Sequence, residues 1–244
     1  LLRVMLDSHP RILCGPEFRI TPALLALWDK FKECEGRLEH YQMAGARLQN
    51  MYRDLFLTLL ERYRLQESKP RIAEKTPDNC LYFQSIHEIF PESPLIHVIR
   101  DGRDVVASLL AQKWEDINTG EKTEHCHQVQ SAAELWVRHV RKGLSMRSHS
   151  SGSSRYFEVR YEQLISEPEA ILKSLFSFLG ESWDPQVLNY HGFERNLANE
   201  PSSEQVNRPL YSNAHGRWRR DLDSDQLKVN MEVAGDLLRE LDYS

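Results

Sequence analysis

The chain has 244 residues, 41% hydrophobic, 27% charged and 9% aromatic, with a formal net charge of −5. That length and balance fit one soluble globular domain over residues 1–244, with enough chain for a substantial core. Net negative charge argues against the broad basic footprint of a nucleic-acid binder, and no window of 18 apolar residues exists to span a membrane as a helix.

Residues 1, 2, 4, 5 and 6 are apolar and His9-Pro10 follows, which predicts a short buried helix stopped by proline. "LCGPEFRI" comes next as a loop or short extended piece. Helices are predicted over 22–34 and 42–66, the second with Met43, Leu48, Tyr52, Leu55, Leu59 and Tyr63 at helical spacing. A short buried strand is predicted over 71–75, and Thr76-Pro77 reads as the N-cap and first turn of a helix through 90. "SPLIHVIR" gives a second strand, its nearly continuous apolar run typical of a parallel sheet covered on both faces. "DGRDVVASLLAQKW" and 128–147 are then helical, 148–154 is a serine-rich loop, and "RYFEVRYEQL" is a third strand. Helices over 167–179 and 225–241 complete the chain. Strands alternating with helices predict an α/β fold: a mostly parallel sheet flanked by many helices.

In an open α/β sheet, ligands bind beyond the carboxyl ends of the strands. The predicted strands end in Glu74-Lys75, Arg100 and Arg160-Tyr161. One surface would then carry two or three cations and a phenol, faced by helix N-termini that also favour anions. Charged residues can simply mark where a strand leaves the core, but three strands ending alike favour an anion site. Arg100 at a strand end and Ser108 about two turns into the next helix suit a bound phosphate. "HCH" at 125–127 lacks metal-ligand spacing, so no metal site is expected. Cys14, Cys34, Cys80 and Cys126 show no paired spacing and read as free thiols of a reducing compartment.

Six stretches resemble the nucleotide-dependent sulfotransferases, which use 3′-phosphoadenosine 5′-phosphosulfate (PAPS). They are "LLRVMLDSHPRILCGPE", "EKTP", "FPESPLIHVIRDGRDVVAS", "VRYEQL", "SSEQVNRP" and "SNAHGRWRRDL", in the family's order over most of the chain. "VIRDGRDVVAS" is highly specific, whereas "YEQL" alone is weak. Within the family the likeness is strongest to tyrosylprotein sulfotransferases and their general bacterial-type relatives.

The resemblance implies roles residue by residue. Arg100 and Ser108 match the pair holding the cofactor's 3′-phosphate, and Tyr161 matches a tyrosine contacting the cofactor. Arg208 in "QVNRP" matches a basic residue near its phosphates, and Arg217 in "HGRW" lies in the closing C-terminal loop. Glu17 matches the general base for the acceptor hydroxyl, and Lys75 the lysine that stabilises the transferring group; the bland alternative for Glu17 is a loop ion pair with Arg19. The implied cofactor is PAPS, leaving 3′-phosphoadenosine 5′-phosphate (PAP), with no metal. The implied acceptor is a hydroxyl or phenol of a small molecule, a peptide tyrosine or a carbohydrate.

The family's sheet is of P-loop type, with an Arg-Ser-Gly-Thr-Thr type loop directly before "LLR". With Leu1 where that loop has just ended, the chain is expected to be cut at its start and to lack the first strand and phosphate loop. The secretory tyrosylprotein enzymes pair a cysteine of Cys-Gly-x-Glu with one just before the lysine. Here that partner region reads "RIAEK", which points to the cytoplasm rather than the Golgi lumen. Two other readings remain at this stage. One is a P-loop kinase-like phosphotransferase, for which no GxxxxGK[ST] is present; the other is a non-catalytic PAP- or PAPS-binding module.

Overall fold

A computed structural model describes residues 1–115, 122–149, 151–193, 210 and 215–243. Helix α1 (Leu2–Asp7) leads into strand β1 (Ile12–Cys14), and α2 (Thr21–Glu33), α3 (Glu35–Leu38) and α4 (Ala46–Gln66) form a helical stretch before β2 (Arg71–Ala73). A 3-10 turn (Pro77–Tyr82) and α5 (Phe83–Ile89) connect to β3 (Leu95–Ile99), followed by α6 (Gly102–Leu110) and α7 (Val129–Leu144). Strand β4 (Tyr156–Arg160) passes directly into α8 (Tyr161–Ser166) and α9 (Pro168–Leu179); α10 (Trp218–Asp221) and α11 (Ser224–Glu240) close the described chain.

The strands are parallel, as the α/β alternation requires, and the described residues arrange them in two pairs. In one, Ile12 lies beside Arg71 and Cys14 beside Ala73. In the other, Leu95 lies beside Tyr156 and Ile99 beside Arg160. The pairs share a core. Ile12 and Cys14 of β1 and Val159 of β4 pack with Leu172, Leu175 and Phe176 of α9, all buried. Each such side chain contributes about 1.5–3 kcal/mol when fully removed from water. A second core joins Ile99, Val106, Trp136 and Val140 to Ala234, Leu237 and Leu238 of α11, and a third joins α2, α4 and α5 through Trp28, Tyr52 and Phe56.

Several predicted elements are shorter than their sequence patterns. The 42–66 helix begins only at Ala46, because Gln42 takes a left-handed conformation (φ 55°) that ends the preceding turn. The strand over 71–75 stops at Ala73, since Glu74 and Lys75 turn their side chains to the loop after β1. Thr76 does not cap the following helix; its hydroxyl donates to Glu74 at 2.6 Å and accepts from the Arg19 N–H at 3.2 Å. The third strand ends at Arg160, where its partner β3 ends, and "YEQL" coils into α8. Strand β3 buries Leu95, His97 and Ile99, but Val98 is 43% exposed, so among the described residues its second face is only partly covered.

Candidate active site

The residues after β1 and those after β2 meet. Lys75 Nζ lies 2.5 Å from Glu17 Oε1, although 58 residues separate them. Arg19 Nε donates to the other oxygen, Glu17 Oε2, at 3.2 Å, so the bland Arg19 pairing and the Lys75 pairing are present together. Both Glu17 and Lys75 are part-exposed and can be reached from solvent. Glu74, which the sequence marks only as a strand end, fixes this corner. Its carboxylate accepts from the Phe18 N–H at 3.3 Å, from the Thr76 hydroxyl, and from the Asn79 amide. Its signal was adjacency to Lys75 in "EKTP".

Gly15 is required for close approach here: an added Cβ would stand 2.6 Å from Cε1 of Tyr63. Burial pushes the neighbouring Cys14 thiol up to about 12, which keeps it protonated and removes it as a nucleophile.

A second group forms at the end of β3. The Arg100 guanidinium lies 4.7 Å from the Tyr161 ring centre, a cation–π contact across the ends of β3 and β4. Arg100 Nη2 is 3.8 Å from Asp104 Oδ2, and Asp104 and Ser108 lie one turn apart on α6. The N-terminus of α6 is capped from within the chain. Asp101 accepts from the Arg103 N–H at 2.9 Å and takes the Arg103 guanidinium in a two-pronged ion pair. The positive end of that helix therefore already faces one carboxylate of the chain itself.

Arg160 also departs from expectation. It reaches the Leu241 carbonyl at 3.3 Å and lies over the Tyr243 ring, so it secures the C-terminal end of α11 rather than adding to the cationic surface. Glu162 completes that clasp, accepting from the Asp101 N–H and from the Tyr243 hydroxyl.

The "HGRW" segment comes to the same place. The N–H groups of Gly216 and Trp218, on either side of Arg217, donate to Asp104 at 2.8 and 3.0 Å. Arg217 itself pairs with Asp221 at 2.7 Å. Arg103 lies 4.3 Å from the Trp218 ring centre. Arg208 lies outside the described residues.

Helix α7 sets the spacing between the two groups. Its Trp136 donates to the Arg100 carbonyl at 3.0 Å, and its His139, one turn on, lies 2.8 Å from Asp78 just beyond Lys75. The hydrogen bond from His139 holds the Asp78 carboxyl below its usual range. Among the described residues, no group of three or more His, Cys, Asp or Glu is placed to hold a metal, and no helix is long and apolar enough to cross a membrane.

A carboxylate facing an ammonium, linked through α7 to a guanidinium stacked on a phenol, can take a proton while cations neutralise a transferring anion. The chain is similar in sequence to known proteins. Protein-tyrosine sulfotransferase A of Caenorhabditis elegans is 29% identical over 255 residues, covering 100% of this chain and 63% of that protein. The protein-tyrosine sulfotransferase of Drosophila melanogaster is 26% identical over 96% of this chain and 47% of its own length. The chain thus spans between about half and two thirds of these curated relatives.

Two solved structures share the fold. The sulfotransferase domain from the curacin biosynthetic pathway has a TM-score of 0.65 at 17% identity, covering 100% of this chain and 93% of that one. The sulfotransferase domain from the Synechococcus PCC 7002 olefin synthase has 0.60 at 20% identity, covering 96% and 89%. The model of the Sulfotransferase family matches residues 1–185, and the chain belongs to that family.

Proposed function

We propose that this protein transfers a sulfuryl group from PAPS to a hydroxyl or phenol oxygen, with a peptide tyrosine as the acceptor. The observation that carries the reading is the Glu17–Lys75 pair, 2.5 Å apart at the ends of β1 and β2. The relatives named as protein-tyrosine sulfotransferases support the acceptor class.

The residues fit an anionic nucleotide: the Arg100 guanidinium lies over the Tyr161 phenol, Ser108 follows one turn after Asp104 on α6, and the amides on either side of Arg217 are bonded to Asp104. When bound, PAPS supplies an activated sulfuryl group on a phosphate leaving group. Arg100 binds phosphate through the planar fork of its guanidinium, and the Ser108 hydroxyl donates a further bond. Glu17 accepts the proton of the acceptor oxygen as that oxygen attacks, an effect worth about 10²–10⁴-fold in rate. Lys75 turns from Glu17 toward charge growing on the transferred group and the departing oxygen. Fixed cations supply most of the acceleration in such in-line displacements. With Lys75 and Arg100 in place the proposal requires no metal.

The Glu17–Arg19 ion pair favours a second reading, a module that binds the nucleotide without transferring from it. One assay separates them. Full-length protein is incubated with ³⁵S-labelled PAPS and tyrosine peptides, simple phenols, sugars or aliphatic alcohols. Label on the tyrosine peptide, lost in Glu17→Gln, is the expected result. Nucleotide binding with no label on any acceptor would leave the binding module as the account.

A further inference from the structure

Asp104 is completely buried, and it is a carboxylate beside the place proposed for a phosphate. A buried charge of that sign weakens an anion site unless it serves another purpose. Its partners show the purpose. Oδ2 accepts from Gly216 N–H at 2.8 Å and Oδ1 from Trp218 N–H at 3.0 Å, 112 and 114 residues further along the chain. Arg100 Nη2 stands 3.8 Å from the same Oδ2.

Among the described residues, the segment it grips is held to α6 by polar and cation–π contacts. None of residues 215–221 is fully buried, so polar contacts weigh heavily in placing Arg217. Gly216 has φ +70°, a conformation favourable to glycine, which lets the amides on either side of Arg217 converge on one carboxylate. Trp218 adds its ring to the Arg103 guanidinium on the same helix.

We propose that Asp104 is a positioning residue that latches the segment carrying Arg217 onto helix α6, so that Arg217 joins Arg100 and Ser108 in one nucleotide-anion site. The inference rests on the nucleotide-binding reading above. Asp104 touches no substrate. It aligns Arg100 from one side and carries the Arg217 backbone on the other; the Arg217 guanidinium, which pairs with Asp221 at 2.7 Å, exchanges that carboxylate for the nucleotide anion.

The test uses Asp104→Asn, which keeps size and shape but turns one acceptor into a donor facing an N–H. Gly216→Val breaks the latch from the other side, at a part-buried loop glycine whose φ of +70° a valine does not favour. Hydrogen exchange at residues 215–218 is measured without nucleotide, and affinity is measured with PAP. Both variants should raise exchange in that segment and lower PAP affinity by about tenfold, the scale of a lost charge-assisted hydrogen bond. In an Arg217→Ala background, Asp104→Asn should cost little further affinity, because the group it places is gone.

Unchanged exchange at 215–218, or full additivity of Asp104→Asn with Arg217→Ala, overturns the proposal. Wild-type binding of PAP that both variants retain overturns it alone. Failure of the wild type to bind PAP overturns the nucleotide reading itself and this proposal with it.

Discussion

Glu17 answers to two cations, and its two partners call for different kinetics. If the carboxylate takes the acceptor's proton, Glu17→Gln lowers kcat while PAP affinity holds, and the loss shrinks for acidic phenols that need less help from a base. Lys75→Ala should cost about 10²–10³-fold, by analogy with one lost oxyanion donor, whatever the acidity of the acceptor. The measurement is log kcat against acceptor pKa for wild type and both variants. A parallel downward shift for Glu17→Gln, with unchanged slope, leaves it as the ion-pair partner of Arg19. Arg100 is tested at the same scale. Arg100→Ala should weaken PAP binding by about 1.5–3 kcal/mol, the range for hydrogen bonds to charged groups. Adenosine 5′-phosphosulfate, which lacks the 3′-phosphate, should bind nearly as before; equal losses for both ligands remove Arg100 from that phosphate.

Among the elements, α7 carries the most consequence, because it touches both halves of the site. Trp136 holds the carbonyl of Arg100, and His139 meets Asp78 beyond Lys75. Its close seat on β3 depends on Gly143: a Cβ there would stand 2.4 Å from the buried His97 ring, which is itself fixed by the Tyr156 hydroxyl at 2.7 Å. Gly143→Ala therefore forces a ring or the helix to move. Overpacking of this kind costs about 1–3 kcal/mol. Urea unfolding should show a lower midpoint with an unchanged slope. An unchanged midpoint would mean that α7 is not held at this distance by the His97 contact.

For the whole molecule, histidines shifted by burial contribute to the response to acid. Burial pushes His97 down to about 4, and burial also lowers His87 and His125. The unfolded chain binds those protons near pH 6.5 and the folded chain only at lower pH. The His97 contribution is therefore fully present above about pH 6.5 and declines as pH falls toward 4, by up to about 1.4 kcal/mol per pH unit; His87 and His125 act in the same direction. Unfolding free energy measured from pH 7.5 to 4 checks this, and His97→Gln should flatten part of the slope. A flat profile would contradict the burial of neutral His97. The four cysteines are free in the structure, three of them buried. Thiol titration of the denatured protein without reductant should find four; two would indicate a disulfide and reopen the secretory alternative.

What the sequence determined by itself is what short-range periodicity encodes. Alternating apolar runs and amphipathic stretches marked the α/β order, and "VIRDGRDVVAS" placed Arg100 at a strand end with Ser108 on the following helix. Lys75 and Tyr161 were legible as strand ends and took their roles through resemblance; Glu17 was legible through resemblance alone. The tertiary structure alone decided which of these meet. It joined Glu17 to Lys75 across 58 residues, carried the amides around Arg217 to Asp104, and sent Arg160 to the end of α11. It also showed Glu74 and Asp104 as organising carboxylates, where the sequence offered only two more acids among many. The reason is physical. Helix and strand patterns arise between near neighbours, whereas a hydrogen bond over a hundred residues forms only after the chain has closed that loop, and no local preference records which loop will close.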